Sequence, residues 1–169
     1  MDYHRQSIRL PRFNYHSAGA YFVTIRTHER ASIFGIIQNS EMQPNENGDI
    51  AKNTWDEIPE YSEYVDTDEF IVMPNHVHGI VWIKDQGAIN RAPTNTTMTL
   101  GEIIRSYKAR VTRQIRLAGS TYGVWQRNYH ERIIRNEPEL NAIRQYIRNN
   151  PAKWELDDFH SPFGGNHSS

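Results

Sequence analysis

Short runs of β-branched and aromatic residues recur along the chain, and each run predicts a β-strand. The predicted strands are 20–27, 33–37, 67–73, 77–83 and 124–129. Pro74 and Asn75 form a bend between the third and fourth of these runs, which predicts an antiparallel hairpin. A loop is predicted at 43–48, where Pro, Asn and Gly cluster.

Other segments place apolar residues every three to four positions, the spacing typical of amphipathic helices. The predicted helices are 50–64, 100–117 and 137–150. Thr99 and Glu102 have the spacing of a capping box in front of the second helix. Pro59 interrupts the first helix, and Pro151 is predicted to end the third.

The order of these elements, β, β, α, β, β, α, β, α, predicts an α+β fold with helices packed on an antiparallel sheet. We find no repeat and no domain boundary in the 169 residues, so we expect one domain, 1–169. Its core is predicted at about 15–153, with a basic arm at 1–14 and an irregular tail at 154–169. Residues 85–97 are predicted to form a long loop.

Composition narrows the class of protein. The chain has 0 cysteines, which excludes disulfides and thiolate metal sites. No apolar run is long enough to span a bilayer, and residues 1–12 lack the apolar stretch of a signal peptide. We therefore expect a cytoplasmic protein with no membrane partner.

The net charge of −1 conceals a segregation of charge. Residues 41–69 contain ten acidic residues and one basic residue, whereas 102–135 contain eight basic residues and two acidic ones. A local basic field favours binding of a nucleic-acid backbone, although both runs also fit ordinary solvated helix faces. The residues predicted to bind DNA are Arg5, Arg9, Arg12, Arg105, Lys108, Arg113 and Arg127.

His76 and His78 lie two positions apart at the start of the apolar run 77–83. Residues i and i+2 of a strand point to the same face, so both imidazoles can bind one cation. Burying two polar rings costs free energy unless they are satisfied, which favours a metal site. The alternative is one hydrogen-bonded core histidine and one exposed histidine.

Tyr146 and Asn150 are four residues apart in the last predicted helix and share a face. Two imidazoles plus the Asn150 amide oxygen would leave open coordination positions, which suits Mg²⁺ or Mn²⁺ better than a closed zinc site. A tyrosine hydroxyl can attack phosphorus once a metal polarises the phosphate. Taken alone, Tyr146 also fits a packing role and Asn150 a helix cap.

Four motifs occur in a fixed order and carry a family resemblance. They are Met-Pro-Asn-His-Val-His at 73–78, Trp-Gln-Arg-Asn-Tyr at 125–129, Ile-Arg-Asn-Glu at 134–137 and Tyr-Ile-Arg-Asn-Asn-Pro at 146–151. Together they resemble the IS200-like Y1 transposases, and most closely the REP-associated tyrosine transposases. The resemblance implies a ferredoxin-like HUH endonuclease fold in a prokaryotic, nucleoid-associated protein. It also implies a metal-dependent endonuclease and strand transferase that acts on single-stranded or hairpin DNA.

By motif position, the resemblance implies that His76, His78 and Asn150 hold the metal and that Tyr146 is the nucleophile. Cleavage would form a 5′-phosphotyrosine and release a 3′-hydroxyl, with no ATP and no cofactor beyond Mg²⁺ or Mn²⁺. Tyr129 is the competing nucleophile and ranks second, because its strand-like surroundings offer no partner at helical spacing. The resemblance leaves both a homodimer acting in trans and a monomer acting in cis open.

Two other functions fit the same residues. A DNA-hairpin-binding module without chemistry would use the basic residues alone and would show no metal dependence. An RNA-processing enzyme or other metal-dependent phosphodiesterase would use the histidines and leave no protein-linked product. A covalent protein–DNA product is expected only from the transposase and would distinguish it from these two alternative functions.

Overall fold

The computed structural model describes residues 18–85 and 98–154 of the chain. Its strands are β1 (Gly19–Arg26), β2 (Gly35–Gln38), β3 (Glu41–Pro44), β4 (Val65–Met73), β5 (His76–Ile83) and β6 (His130–Ile134). Its α-helices are α1 (Glu46–Asp56), α2 (Leu100–Leu117) and α3 (Glu137–Lys153). Two short 3₁₀ turns follow β1 and α1, at His28–Arg30 and Ile58–Tyr61. Within the described part of the chain, no helix is long and apolar enough to cross a membrane.

The main sheet has the strand order β4-β5-β1-β6, and each pair of neighbours is antiparallel. The β2–β3 hairpin forms a separate two-stranded sheet. Without that hairpin, the chain order is β1, α1, β4, β5, α2, β6, which is the split βαβ order of ferredoxin-like folds. The prediction of a ferredoxin-like α+β fold with an antiparallel sheet is therefore confirmed.

The sheet buries a separate core on each of its faces. Odd-numbered residues of β1 and β5 pack with α1 and α2; they include Val23, Ile25, Val77 and Val81. Even-numbered residues such as Phe22 and Ile80 pack with α3, which contributes Leu140 and Ile147. Because side chains alternate along a strand, His76 and His78 must point to the same face as Ile80. Both histidines therefore belong to the layer between the sheet and α3.

Gly79 follows His78 and is required by the packing on the other face of β5. A Cβ atom at this position would lie 2.4 Å from Cζ2 of Trp55 and 2.9 Å from Cδ2 of Phe70. Trp55 is buried and stacks on Phe70 with ring centroids 4.4 Å apart, so the indole has little room to move. The glycine lets the Trp55 indole lie directly on the backbone that carries the histidine pair.

The helix α2 begins and ends as predicted, and its capping box between Thr99 and Glu102 is present. The first helix was predicted at 50–64, but α1 begins at Glu46 with Asn45 as its cap and ends at Asp56, before Pro59. The predicted loop at 43–48 is also wrong, since β3 and the start of α1 occupy it. The β2–β3 turn at 39–40 uses two residues with positive φ, which pairs these short strands tightly.

Two predictions near the C-terminal end are wrong. The fourth strand of the main sheet is β6 and not 124–129, where Trp125 makes a single isolated bridge to Thr27. Pro151 does not end α3, which continues to Lys153. Proline has a helix-compatible φ but removes one helical hydrogen bond and crowds the preceding turn, and the helix ends only two residues after Pro151. Pro151 is also buried.

Candidate functional site

The histidine pair is a buried and connected unit. His76 is 3% exposed and His78 1% exposed, and their Nε2 atoms lie 3.1 Å apart. Nδ1 of His78 lies 2.8 Å from Oγ1 of Thr24, and Nδ1 of His76 lies 2.7 Å from Oδ1 of Asn75. The outer nitrogens are thus hydrogen-bonded to their neighbours, and the inner nitrogens face each other. The alternative of one core histidine and one exposed histidine is therefore wrong.

The environment keeps His78 neutral. Burial, followed by the nearby His76 and the positive charge of Arg26, holds the pKa of His78 well below its ordinary value of 6.5. A metal ligand must present an unprotonated nitrogen, so a depressed pKa leaves the ring ready to bind a cation at neutral pH.

One side of α3 covers the pair. The Tyr146 ring packs against His78 with centroids 5.5 Å apart, and also meets Phe22 edge-on at 6.1 Å. Two turns later, the Trp154 ring stacks on His76 at 6.1 Å. Asn150 lies midway between Tyr146 and Trp154 along the chain, and its side chain is buried. The structure therefore places Tyr146 against His78 and Trp154 against His76, and Asn150 is buried on the helical turn between them.

Ion pairs fix α3 on the sheet. The guanidinium of Arg144 binds both carboxylate oxygens of Asp68 on β4, at 2.9 and 2.5 Å. The indole of Trp82 donates to the same carboxylate at 3.1 Å. These bonds, with the Arg144 hydrogen bond the largest cause, lower the pKa of Asp68 from 3.8 to about 2. One turn along, Arg148 pairs with Glu69 at 2.6 Å, so ion pairs hold α3 on β4 on both sides of Tyr146.

The described residues contain no group of three or more His, Cys, Asp or Glu side chains that could hold a metal. The donors predicted from the sequence are instead the two imidazoles and the amide of Asn150. The Nε2 atoms of the two rings lie 3.1 Å apart, close enough for both nitrogens to bind one ion. Two imidazoles and one amide oxygen would leave coordination positions open, as sites for Mg²⁺ or Mn²⁺ do.

Two residues at the site were missed by the sequence analysis. In the register of β1 against β5, Thr24 lies opposite His78 and Arg26 opposite His76. Arg26 is close enough to lower the pKa of His78, and burial and Arg30 lower its own pKa. It brings a positive charge to the histidine end of the sheet. Only the pairing of two strands far apart in sequence could have revealed either residue.

Tyr129, the competing nucleophile, lies elsewhere. Its ring packs on the core formed with α1 and α2, which is the opposite face of the sheet from the histidines. Its hydroxyl donates to Oε2 of Glu131 at 3.1 Å. Burial and the negative charge of Glu131 raise the pKa of Tyr129 above its ordinary value. The structure does not bring this hydroxyl to the metal-binding candidates.

A basic groove of about 790 Å³ runs between α2 and residues 123–127. Its basic lining residues are Arg105, Lys108, Arg113, Arg116 and Arg127. The groove therefore gathers four of the residues predicted to bind DNA, and adds Arg116. Lys108 differs from the others, because its ammonium donates to the carbonyls of Gln126 and Arg127 at 2.6 and 3.3 Å. Arg5, Arg9 and Arg12 lie outside the described residues.

The groove adjoins the histidine end of the sheet. Its wall at 123–127 is attached to the end of β1, where the Gln126 amide donates to the carbonyl of Arg26 at 2.9 Å. Arg26 is paired with His76 across the strands. The groove lies in the α2 layer and the histidines in the α3 layer, but both reach the same end of the sheet.

Two solved structures have a fold similar to that of this chain. A REP-associated tyrosine transposase bound to a REP hairpin has a TM-score of 0.61 and 18% identity, with 90% of this chain and 79% of that chain covered. A proposed transposase of Deinococcus radiodurans has a TM-score of 0.50 and 18% identity, with 79% and 91% covered. The resemblance to the Y1 transposases is thus confirmed at the level of the fold.

Comparison of the amino-acid sequence with known proteins shows which family the chain belongs to. No protein-family model matches the chain. An uncharacterized protein of Haemophilus influenzae is 41% identical to it, and the alignment covers 94% of both proteins. The chain belongs to the same family as this Haemophilus influenzae protein.

Proposed function

We propose that the protein is a transposase-like enzyme that cleaves and rejoins single-stranded DNA through Tyr146, with His76, His78 and Asn150 as the metal ligands. The observation that carries this proposal is the contact between the Tyr146 ring and His78. His78 belongs to a buried histidine pair whose Nε2 atoms lie 3.1 Å apart. A nucleophile beside two adjacent imidazoles that can bind a metal suits metal-assisted attack on a phosphodiester.

In the proposed reaction, the Tyr146 oxygen forms a bond to phosphorus and the bond from phosphorus to the 3′ oxygen breaks. The tyrosine loses its proton, and the leaving oxygen gains one to become a 3′-hydroxyl. The 5′-phosphotyrosine keeps the bond energy, so a second strand's 3′-hydroxyl can reverse the step without ATP. The Tyr146 hydroxyl is shielded from solvent, so DNA reaches it only after the surrounding side chains move aside.

A bound Mg²⁺ or Mn²⁺ would polarise the scissile phosphate. His76 and His78 would hold it through their Nε2 atoms and Asn150 through its amide oxygen. Arg26 supplies a positive charge close to His78, where it would stabilise the charge that develops on the phosphate oxygens. Arg144 and Arg148 are paired with carboxylates and keep Tyr146 in place rather than binding DNA.

We propose hairpin DNA as the substrate and the basic groove as its binding surface. Arg105, Arg113 and Arg127 are exposed in the groove and can contact phosphates, while Lys108 holds the backbone of the opposite wall. The structural relative bound to a REP hairpin supports this choice of substrate. Binding of chromosomal DNA would place the protein on the nucleoid, as a monomer or a homodimer.

The proposal is tested by incubating the protein with hairpin oligonucleotides that carry single-stranded flanks, with and without Mn²⁺. A denaturing gel should show a covalent protein–DNA band that needs Mn²⁺ and disappears in Tyr146→Phe. Tyr129→Phe is the matched control, because it removes a hydroxyl from the opposite face of the sheet, and it should keep the band. A band that persists in Tyr146→Phe would overturn the assignment of the nucleophile.

A DNA-hairpin-binding protein without chemistry is the second candidate, and the basic groove favours it independently of the histidines. It predicts salt-dependent binding and no covalent band with any metal. Cleavage without a protein-linked product would instead indicate a metal-dependent phosphodiesterase. The same gel therefore separates the three functions.

A further inference from the structure

We propose that Thr24 is a positioning residue, which lets His78 exchange between a metal-free and a metal-binding tautomer. The inference rests on the proposed metal site, and it follows from the chain of contacts Thr24, His78, His76, Asn75. The three links of this chain measure 2.8, 3.1 and 2.7 Å. Each link needs one donor and one acceptor, which restricts where the protons lie.

The Asn75 end fixes the tautomer of His76. Oδ1 of an amide has lone pairs and no proton, so Nδ1 of His76 must carry the hydrogen of this bond. A neutral imidazole has only one N–H, so Nε2 of His76 presents a lone pair towards His78. This nitrogen is correctly prepared for a metal in both states.

His78 cannot keep one tautomer in both states. Without metal, its Nε2–H donates to the lone pair of His76, and its Nδ1 then accepts from the hydroxyl of Thr24. With metal, both Nε2 atoms must offer lone pairs, so the proton of His78 must move to Nδ1. The number of protons on the pair is unchanged, because the hydrogen only changes nitrogen.

Thr24 can serve both states because a hydroxyl both donates and accepts. When Nδ1 of His78 gains the proton, the hydroxyl rotates and accepts from it. A carboxylate or carbonyl here could only accept, and would lock His78 in the metal-binding tautomer, with two lone pairs 3.1 Å apart when no metal is bound. Thr24 is 4% exposed and His78 1% exposed, so water is a poor substitute for this partner.

Thr24→Val keeps the shape of the side chain and removes the hydroxyl. The metal-bound form would then bury an Nδ1–H without a partner, and loss of such a supporting bond typically weakens metal affinity 10- to 100-fold. Thr24→Ser retains the hydroxyl and should stay within about 3-fold of wild type, since its bond to His78 can still form. Neither substitution replaces a proposed metal ligand, Tyr146 or a residue of the basic groove.

The test combines Mn²⁺ titration of the DNA-free protein, followed by electron paramagnetic resonance, with histidine ¹⁵N NMR in the presence of diamagnetic Mg²⁺. We expect His78 in wild type to be protonated at Nε2 without metal and at Nδ1 with Mg²⁺. We expect the Kd for Mn²⁺ to rise 10- to 100-fold in Thr24→Val and to recover in Thr24→Ser.

An equal Kd in wild type and Thr24→Val, or a His78 tautomer that does not change in wild type, would overturn the role of Thr24. The NMR arm uses wild type only, so it decides the question even if Thr24→Val does not fold. Absence of Mn²⁺ binding in wild type would instead contradict the proposed metal site itself. The two failures are therefore distinct.

Discussion

The Asp68–Arg144 pair should stabilise the fold by an amount that depends on pH. The pKa of Asp68 is about 2 in the folded protein against an ordinary value of 3.8. A depressed carboxyl pKa adds stability that is fully present above pH 3.8 and is lost as the pH falls through 2. The difference corresponds to about 2 kcal/mol at neutral pH, by the usual conversion of pKa shifts.

The pair is only partly exposed, with Asp68 at 15% and Arg144 at 28% side-chain exposure. Residual solvent screening reduces the expected loss in Asp68→Asn to about 1–2 kcal/mol at pH 7. The amide keeps the shape and can still accept from Trp82, so the loss reports mainly the charge. Urea unfolding at several pH values between 7 and 2.5 measures it.

Asp66→Asn is the matched control, two residues earlier on β4. Asp66 pairs with Lys84 at 3.2 Å, but both side chains are 53% exposed. Such a surface pair should contribute about 0–0.5 kcal/mol at any pH. Equal losses in Asp68→Asn and Asp66→Asn, or a difference that does not shrink on acidification, would refute the reasoning.

Three further predictions concern the sheet, the groove and the second tyrosine. Gly79→Ala should cost about 2–3 kcal/mol of unfolding free energy in urea titration, because its methyl group would meet Trp55 at 2.4 Å. Gly101→Ala, with its nearest contact at 3.8 Å, should not destabilise, and equal losses in both would contradict this. Arg113→Gln should lower the slope of log affinity against log salt for a hairpin oligonucleotide by about 1, measured by fluorescence anisotropy; an unchanged slope removes Arg113 from the interface. Tyr129→Phe should leave covalent adduct yield on a denaturing gel within 2-fold of wild type, and a larger fall would give Tyr129 a role in the chemistry.

Local sequence patterns were enough to predict a helix or strand whose own residues show a cap or a clear apolar periodicity. The helix α2 was predicted with its correct bounds, because a capping box begins it and its buried apolar residues face one core. The strand β6 was missed, since it is an edge strand with residues His130–Arg132 exposed and no apolar alternation. In its place, Val124 and Trp125 gave an apolar signal, because they anchor a loop in the core.

In the candidate site, too, some residues could be predicted from local sequence spacing and others could not. The histidine pair follows from a spacing of two in a buried strand, and the shared face of Tyr146 and Asn150 from a spacing of four in a helix. Thr24 and Arg26 join the site only through the antiparallel register of β1 and β5. That register is set by the whole sheet, and no local pattern around residue 24 indicates that its hydroxyl meets a histidine 54 positions away.

The central claim is that Tyr146 becomes covalently attached to DNA. The direct measurement is peptide mass spectrometry of the protein after reaction with a hairpin oligonucleotide and Mn²⁺, followed by nuclease digestion. We expect a nucleotide phosphate on the peptide that contains Tyr146, and none when His76 and His78 are both changed to Ala. A nucleotide on Tyr129, or cleaved DNA with no modified tyrosine, would contradict it.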